Sequence, residues 1–169
     1  MYIEHVGITV RELERSVTFY STIFGTEPIE RYSWEGEQAE YVAAMMNVPG
    51  LTLDAAFFRL PGSDVILEII EFHGISEPED VQAIRHHRVG GVHMGFYVPN
   101  LTEVLERIEA AGSDLMGPPV TIEYGPYFGH GHGRAGVFRD PDGNNLQLME
   151  ISGRPGNLRI PAGSDIGEA

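Results

Sequence analysis

Cysteine is absent from this 169-residue chain. That removes disulfides, thiolate zinc sites and a thiol nucleophile from consideration. Positive charge is scarce as well: 11 Lys and Arg stand against 25 Asp and Glu, for a formal net charge of −14. Such a chain repels phosphate backbones, so nucleic acid is not an expected partner. No apolar run approaches the roughly 20 residues that span a bilayer. The opening MYIEHVGITV carries neither the basic segment nor the long apolar core of a secretory signal. The expectation is a soluble, cytoplasmic protein without a membrane partner.

What is present is enough for a packed interior, since 42% of the residues are hydrophobic. The length suits one domain, or two half-domains sharing a core. The one basic cluster, RHHR at 85–88, reads as a solvated loop or helix end rather than a phosphate patch. The tail from Gly153, GRPGNLRIPAGSDIGEA, is rich in Gly and Pro and reads as an extension outside the core.

The chain repeats itself. HVGITVRELERS begins at His5 and HMGFYVPNLTEV at His93, aligning Gly7 with Gly95, Val10 with Val98 and Leu13 with Leu101. Each copy reads as a strand running into a helix. The first helix is expected near 12–24, with Leu13, Val17, Tyr20 and Phe24 at helical spacing and Gly25 as its stop. The second is expected near 100–111, with Asn100 as N-cap, Glu103 completing a capping-box pattern and Gly112 ending it. FFRLPGSDVILEIIEF and VFRDPDGNNLQLMEI then close the two halves with hairpins, aligning Glu68 with Gln147 and Glu71 with Glu150. In the longer first half, GEQAEYVAAMM fits a short extra helix.

The expected fold is therefore α+β: two βαβββ modules in tandem, pairing into a concave mixed sheet around a shared pocket. The first module spans 1–75, a linker 76–90, the second module 91–152 and the extension 153–169.

Both opening strands carry a histidine at the same repeat position, and both closing strands a Glu or Gln inside an apolar run. Strand alternation sets Glu68 opposite Leu67 and Ile69, and Gln147 opposite Leu146 and Leu148. Burying Glu68 there costs several kcal/mol unless it is paired or metal-bound. Two imidazoles, a carboxylate and an amide suit a borderline divalent ion. The alternative is a buried polar network without metal.

The segments HVGITVRELERSVTFYSTIFG, VILEIIEF, GVHMGFYV and FRDPDGNNLQLMEI resemble the vicinal oxygen chelate superfamily over Ile3 to Ile151. That group includes glyoxalase I, methylmalonyl-CoA epimerase, extradiol dioxygenases, and fosfomycin and bleomycin resistance proteins. The resemblance implies His5, Glu68, His93 and Gln147 as ligands of one divalent ion (Co, Ni, Mn, Fe or Zn). Extradiol dioxygenases and fosfomycin-type transferases keep their carboxylate in the last strand, where this chain has Gln147. The ligand set is most similar to glyoxalase I and to methylmalonyl-CoA epimerase, the latter with the halves exchanged. The RDPDG hairpin, however, is the commoner superfamily form rather than that epimerase's own. The positions that grip glutathione in glyoxalase I correspond to Thr9 and Phe72, which cannot clamp a carboxylate.

The resemblance thus implies a metal-dependent isomerase, epimerase or lyase that stabilises an enolate or enediolate of a small oxo- or acyl-substrate, with Glu68 as ligand and base. Two other activities fit the superfamily. One is a ring-cleaving, dioxygenase-like enzyme with ferrous iron. The other is a metal-free protein that binds a small molecule such as an antibiotic through aromatics like Trp34, Phe57 and Tyr97. A homodimer is implied in each case, completing its sites within one chain or by exchange of halves.

One stretch imitates a metal site. YFGHGHGR places His130 and His132 two residues apart among three glycines, and the first half has no counterpart. Its backbone entropy disfavours rigid ligation. It is expected instead to form either a plain solvated hairpin or a lip at the pocket mouth, where Tyr127, His130, His132 or Arg134 touches substrate or relays a proton.

Overall fold

Apolar residues at helical spacing and glycine stops set the two repeated helices. The computed structural model describes residues 3–60, 64–75, 87, 89–113, 115–123 and 132–152. It divides the chain into two units, Met1–Gln82 and Ala83–Ala169. The first contains β1 (His5–Val10), α1 (Leu13–Phe24), β2 (Glu30–Trp34), α2 (Gly36–Met46), β3 (Thr52–Arg59) and β4 (Ile66–His73). The second contains β5 (His93–Tyr97), α3 (Leu101–Ala110), β6 (Val120–Glu123), β7 (His132–Arg139) and β8 (Asn145–Ser152). Among the described residues no helix is long and apolar enough to cross a membrane.

Each unit builds one four-stranded sheet, in the orders β1-β4-β3-β2 and β5-β8-β7-β6. In both, the opening strand lies parallel to the closing strand and the remaining pairs are antiparallel. This is the expected repeated module. It makes the first and last strands of each unit neighbours, although they are far apart in sequence.

The two faces of each sheet differ. In the first unit Leu67, Ile69 and Phe58 are fully buried, and the Tyr20 and Phe24 rings of α1 lie 6.4 and 5.9 Å from the Phe58 ring. In the second, Leu101, Val104 and Ile108 of α3 are buried, as are Phe138, Leu146 and Leu148 of the sheet. Alternation turns Glu68 and Gln147 to the other face. In the first unit α2 covers part of that other face: Val42 and Ala43 pack with Leu53 and Ala55, and Trp34, Phe57, Ile70 and Phe72 adjoin them. GEQAEYVAAMM therefore forms a wall of the Glu68 face and has no counterpart among the described residues of the second unit.

Both helix stops behave as expected. Gly25 takes φ 67° and its N–H bonds Ser21 O, and Gly112 takes φ 78° just past α3. Asn100 caps α3, its Oδ1 accepting from the Glu103 N–H at 3.2 Å. The Glu103 side chain departs from the capping-box expectation and pairs with Arg107 one turn on.

A second kind of cap comes from the sheet. Glu71 Oε2 accepts from Leu13 N–H at 2.7 Å, and Glu150 Oε2 accepts from Leu101 N–H at 2.6 Å. Each closing strand thus sends a carboxylate to the positive end of its unit's helix. We expect Glu150→Ala to lower unfolding stability by about 1 kcal/mol, read from the midpoint of urea denaturation. An unchanged midpoint would show that the bond contributes nothing net.

Candidate metal centre

The ladder between β1 and β4 sets His5 against Ile66 and Gly7 against Glu68. Paired residues share a face, so His5, Gly7 and Glu68 point the same way. Their atoms meet: His5 Nε2 is 3.5 Å from Glu68 Oε2. Two donors each about 2.0–2.1 Å from one ion lie roughly 3 Å apart, so the pair is spaced as neighbouring ligands would be.

Two smaller features favour ligation. His5 Nδ1 lies 2.5 Å from Glu4 Oε2, so the carboxylate holds that side of the ring and Nε2 is the nitrogen that faces Glu68. The second feature is Gly7. A Cβ built there would stand 3.5 Å from Glu68 Oε2 and from Ile70 Cδ1, in ordinary van der Waals contact, so the carboxylate lies directly over this glycine.

The second unit repeats the plan. His93 pairs with Asn145 and Gly95 with Gln147 along β5 and β8. A Cβ at Gly95 would stand 3.8 Å from Gln147 Oε1 and 3.1 Å from Met149 Cε. Each unit therefore lays one side-chain oxygen over a glycine two residues past a histidine. Among the described residues no group of three or more His, Asp or Glu side chains is gathered to hold a metal. What each unit presents is a pair, an imidazole with a carboxylate or an amide. The donor types, the glycine beneath each oxygen and the Glu4 bond fit a divalent ion.

Glu68 is half-buried beside Phe57, which faces it across the β3–β4 ladder. Burial pushes its carboxyl above the usual range. The His5 charge opposes that shift and the Glu4 carboxylate adds to it. A carboxylate held this way accepts a proton more readily than one in water.

The family model described as the Glyoxalase/Bleomycin resistance protein/Dioxygenase superfamily matches residues 2–148. The chain belongs to that superfamily. It is 27% identical over 151 residues to a 2-epi-5-epi-valiolone epimerase of Actinomyces sp, covering 88% of this chain and 79% of the relative. It is also 27% identical over 154 residues to a lactoylglutathione lyase of Pseudomonas aeruginosa, covering 88% of this chain and 81% of that one. A glyoxalase family protein of Bacillus cereus superposes with a TM-score of 0.73 at 20% identity, covering 89% of this chain and 94% of that structure. At that identity the likeness is one of fold. The superfamily architecture and the two tandem modules agree with the reading from sequence.

The glycine-rich lip is placed differently from expectation. Tyr127 and His130 lie outside the described residues. His132 and Arg134 belong to β7, where they pair with Ser152 and Glu150 of β8. Gln147 pairs with Val137. The register therefore puts His132 and Arg134 on the face opposite Gln147, the one that α3 covers. Arg134 Nη1 donates to Thr102 Oγ1 of α3 at 3.3 Å, and His132 is exposed 3.9 Å from Glu123. The glycines do not loosen this part of the segment, because Gly133 is buried in the ladder between β6 and β8. Of the RHHR cluster only His87 is described, and it is exposed.

Sequence reasoning gave no role to Glu4, Gly7, Gly95, Glu71 or Glu150. For four of them a signal existed, since Gly7 aligns with Gly95 and Glu71 with Glu150 in the repeat. Glu4 has no repeat partner, as Val92 precedes His93.

Proposed function

We propose that the protein is a metal-dependent isomerase, epimerase or lyase. It moves a proton next to the carbonyl of a small oxo- or acyl-substrate, using one divalent ion held by His5, Glu68, His93 and Gln147. The observation that carries this reading is the His5–Glu68 contact, with Glu4 behind the imidazole and a glycine beneath the carboxylate. The repeat of that glycine and oxygen at Gly95 and Gln147 supports it. Two relatives named as an epimerase and a lyase support the reaction class.

When bound, the ion supplies Lewis-acid stabilisation of the negative charge that develops on a substrate oxygen as the adjacent C–H proton leaves. Glu4 holds the Nδ1 side of the His5 ring and so keeps Nε2 directed at the centre. Phe57, Ile66 and Ile70 line the same face around Glu68 and limit water. Glu68, its proton affinity raised by that burial, takes the substrate proton and returns it. We read the assembly as a homodimer; α2 exposes Tyr41 and Met45 one turn apart on its outer side, which supports a protein contact there.

Titration of chelator-stripped protein with Mn, Fe, Co, Ni and Zn tests the reading. We expect one ion per chain, bound more weakly in His5→Ala and also in His93→Ala, because both pairs serve one ion. Absence of uptake for every ion would overturn the proposal and favour a metal-free binding protein.

A further inference from the structure

Arginine supplies all of the permanent positive charge on the side chains: 11 arginines and no lysine stand against 25 carboxylates. In such surroundings an arginine finds a partner easily. Arg31 pairs with Glu14, Arg107 with Glu103, and Arg134 bonds Thr102. Arg11 and Arg15 are also engaged. The guanidinium groups of Arg59 and Arg139 make no hydrogen bond or ion pair with another described residue, and Arg139 Nε is buried without a partner.

These two occupy the same point of the repeat. Each ends the third strand of its sheet, in the shared Phe-Arg-x-Pro segment. The register puts both on the face that carries the proposed ligands. Arg139 pairs with Asn145, which pairs with His93, and the next row on that face is Val137, Gln147 and Gly95. Arg59 pairs with Ile66, which pairs with His5, and the next row is Phe57, Glu68 and Gly7. A diagonal step of this kind spans about 7–8 Å, within reach of a long side chain.

Arg139 carries the argument further than Arg59. Arg59 is exposed and water can solvate it. The Arg139 Nε atom is buried without a hydrogen-bond partner. Native structures keep few buried donors unpaired, because the N–H gives up water and gains nothing in return. Such a donor on the ligand-bearing face fits a group that arrives with the substrate. The fork of a guanidinium matches a carboxylate or phosphate, to which it donates two parallel bonds. The strongly acidic chain repels anions at long range, so a local arginine is needed to admit one.

We propose that Arg139 binds an oxyanion of the substrate: a carboxylate or phosphate borne by the oxo- or acyl-compound. The inference rests on the metal-centre reading above. It makes Arg139 a specificity-determining residue rather than a proton carrier.

The test is calorimetric titration of the protein, as purified, with inorganic phosphate and separately with acetate, on the wild type, Arg139→Gln and Arg139→Lys. We expect the wild type to bind at least one probe and Arg139→Gln to bind it about tenfold more weakly or worse. Arg139→Lys should recover part of the phosphate affinity and less of the acetate affinity, since lysine lacks the planar fork. Whichever probe binds identifies the oxyanion. A wild type that binds neither, or an Arg139→Gln protein that binds as the wild type does, overturns the proposal. If circular dichroism shows Arg139→Gln to be misfolded, an Arg139→Lys protein that binds acetate as tightly as the wild type overturns it instead. Cobalt titration of the same samples separates the two readings. Failed uptake by the wild type counts against the metal centre, whereas normal uptake with no effect of the Arg139 substitutions counts against this inference alone.

Discussion

Glu68→Gln is expected to lower turnover by about 10²–10⁴-fold, the usual contribution of a positioned general base. It should also raise the stability of the metal-free protein. Both effects come from the same burial. The carboxylate sits beside Phe57 with its proton affinity raised by desolvation, only partly offset by His5. A carboxyl whose folded pKa exceeds its unfolded value binds more protons in the folded state. Stability therefore falls as pH rises through the window between the two values, and the loss is complete above the folded pKa. Gln147 already shows that an amide fits the equivalent place over Gly95. The neutral glutamine at 68 avoids the cost of burying charge, so thermal melts of chelated protein should favour the variant at neutral pH. The difference should close as pH drops below the ordinary glutamate range. Turnover can be followed as deuterium incorporation into small oxo- and acyl-compounds by NMR. A variant that matches wild-type turnover on a substrate so identified would remove Glu68 from the proton transfer.

Phe138→Ala is expected to cost about 3–5 kcal/mol of unfolding free energy, the range for deleting a fully buried aromatic ring. Phe138 is 0% exposed and stands opposite Leu146, itself buried beneath α3. Small domains carry only about 5–15 kcal/mol in total, so the variant should unfold at a much lower urea concentration. Phe58 is its repeat equivalent and is held by two aromatic rings of α1, so Phe58→Ala should behave alike in the first unit. A loss under about 1 kcal/mol would mean that the surrounding side chains collapse into the space and that this core is not tightly packed.

The sequence made much of the fold legible because its signals were local. Helix α2 coincides with GEQAEYVAAMM, Gly25 and Gly112 stop their helices, and Asn100 caps the third. The candidate ligands were legible for a different reason. A half-buried Glu or Gln at one repeat position, with a histidine at another, breaks an apolar pattern in the same way twice. At His132 to Arg134 the expected lip gives way to a strand, because glycine content speaks only of backbone freedom and strand pairing overrode it there.

By itself, then, the sequence determined the repeated module, its superfamily and the residue types that can hold a divalent ion, all of which are written in local periodicity and in the match between halves. The tertiary structure decided what depends on partners far apart in the chain. It set Glu71 and Glu150 on the helix ends, Gly7 and Gly95 beneath the side-chain oxygens, Arg134 away from the ligand face and Arg139 onto it. The physical reason is register. A strand's side chains alternate with period two, so one step in a long-range pairing moves every residue to the other face, and no stretch of sequence read alone carries that choice.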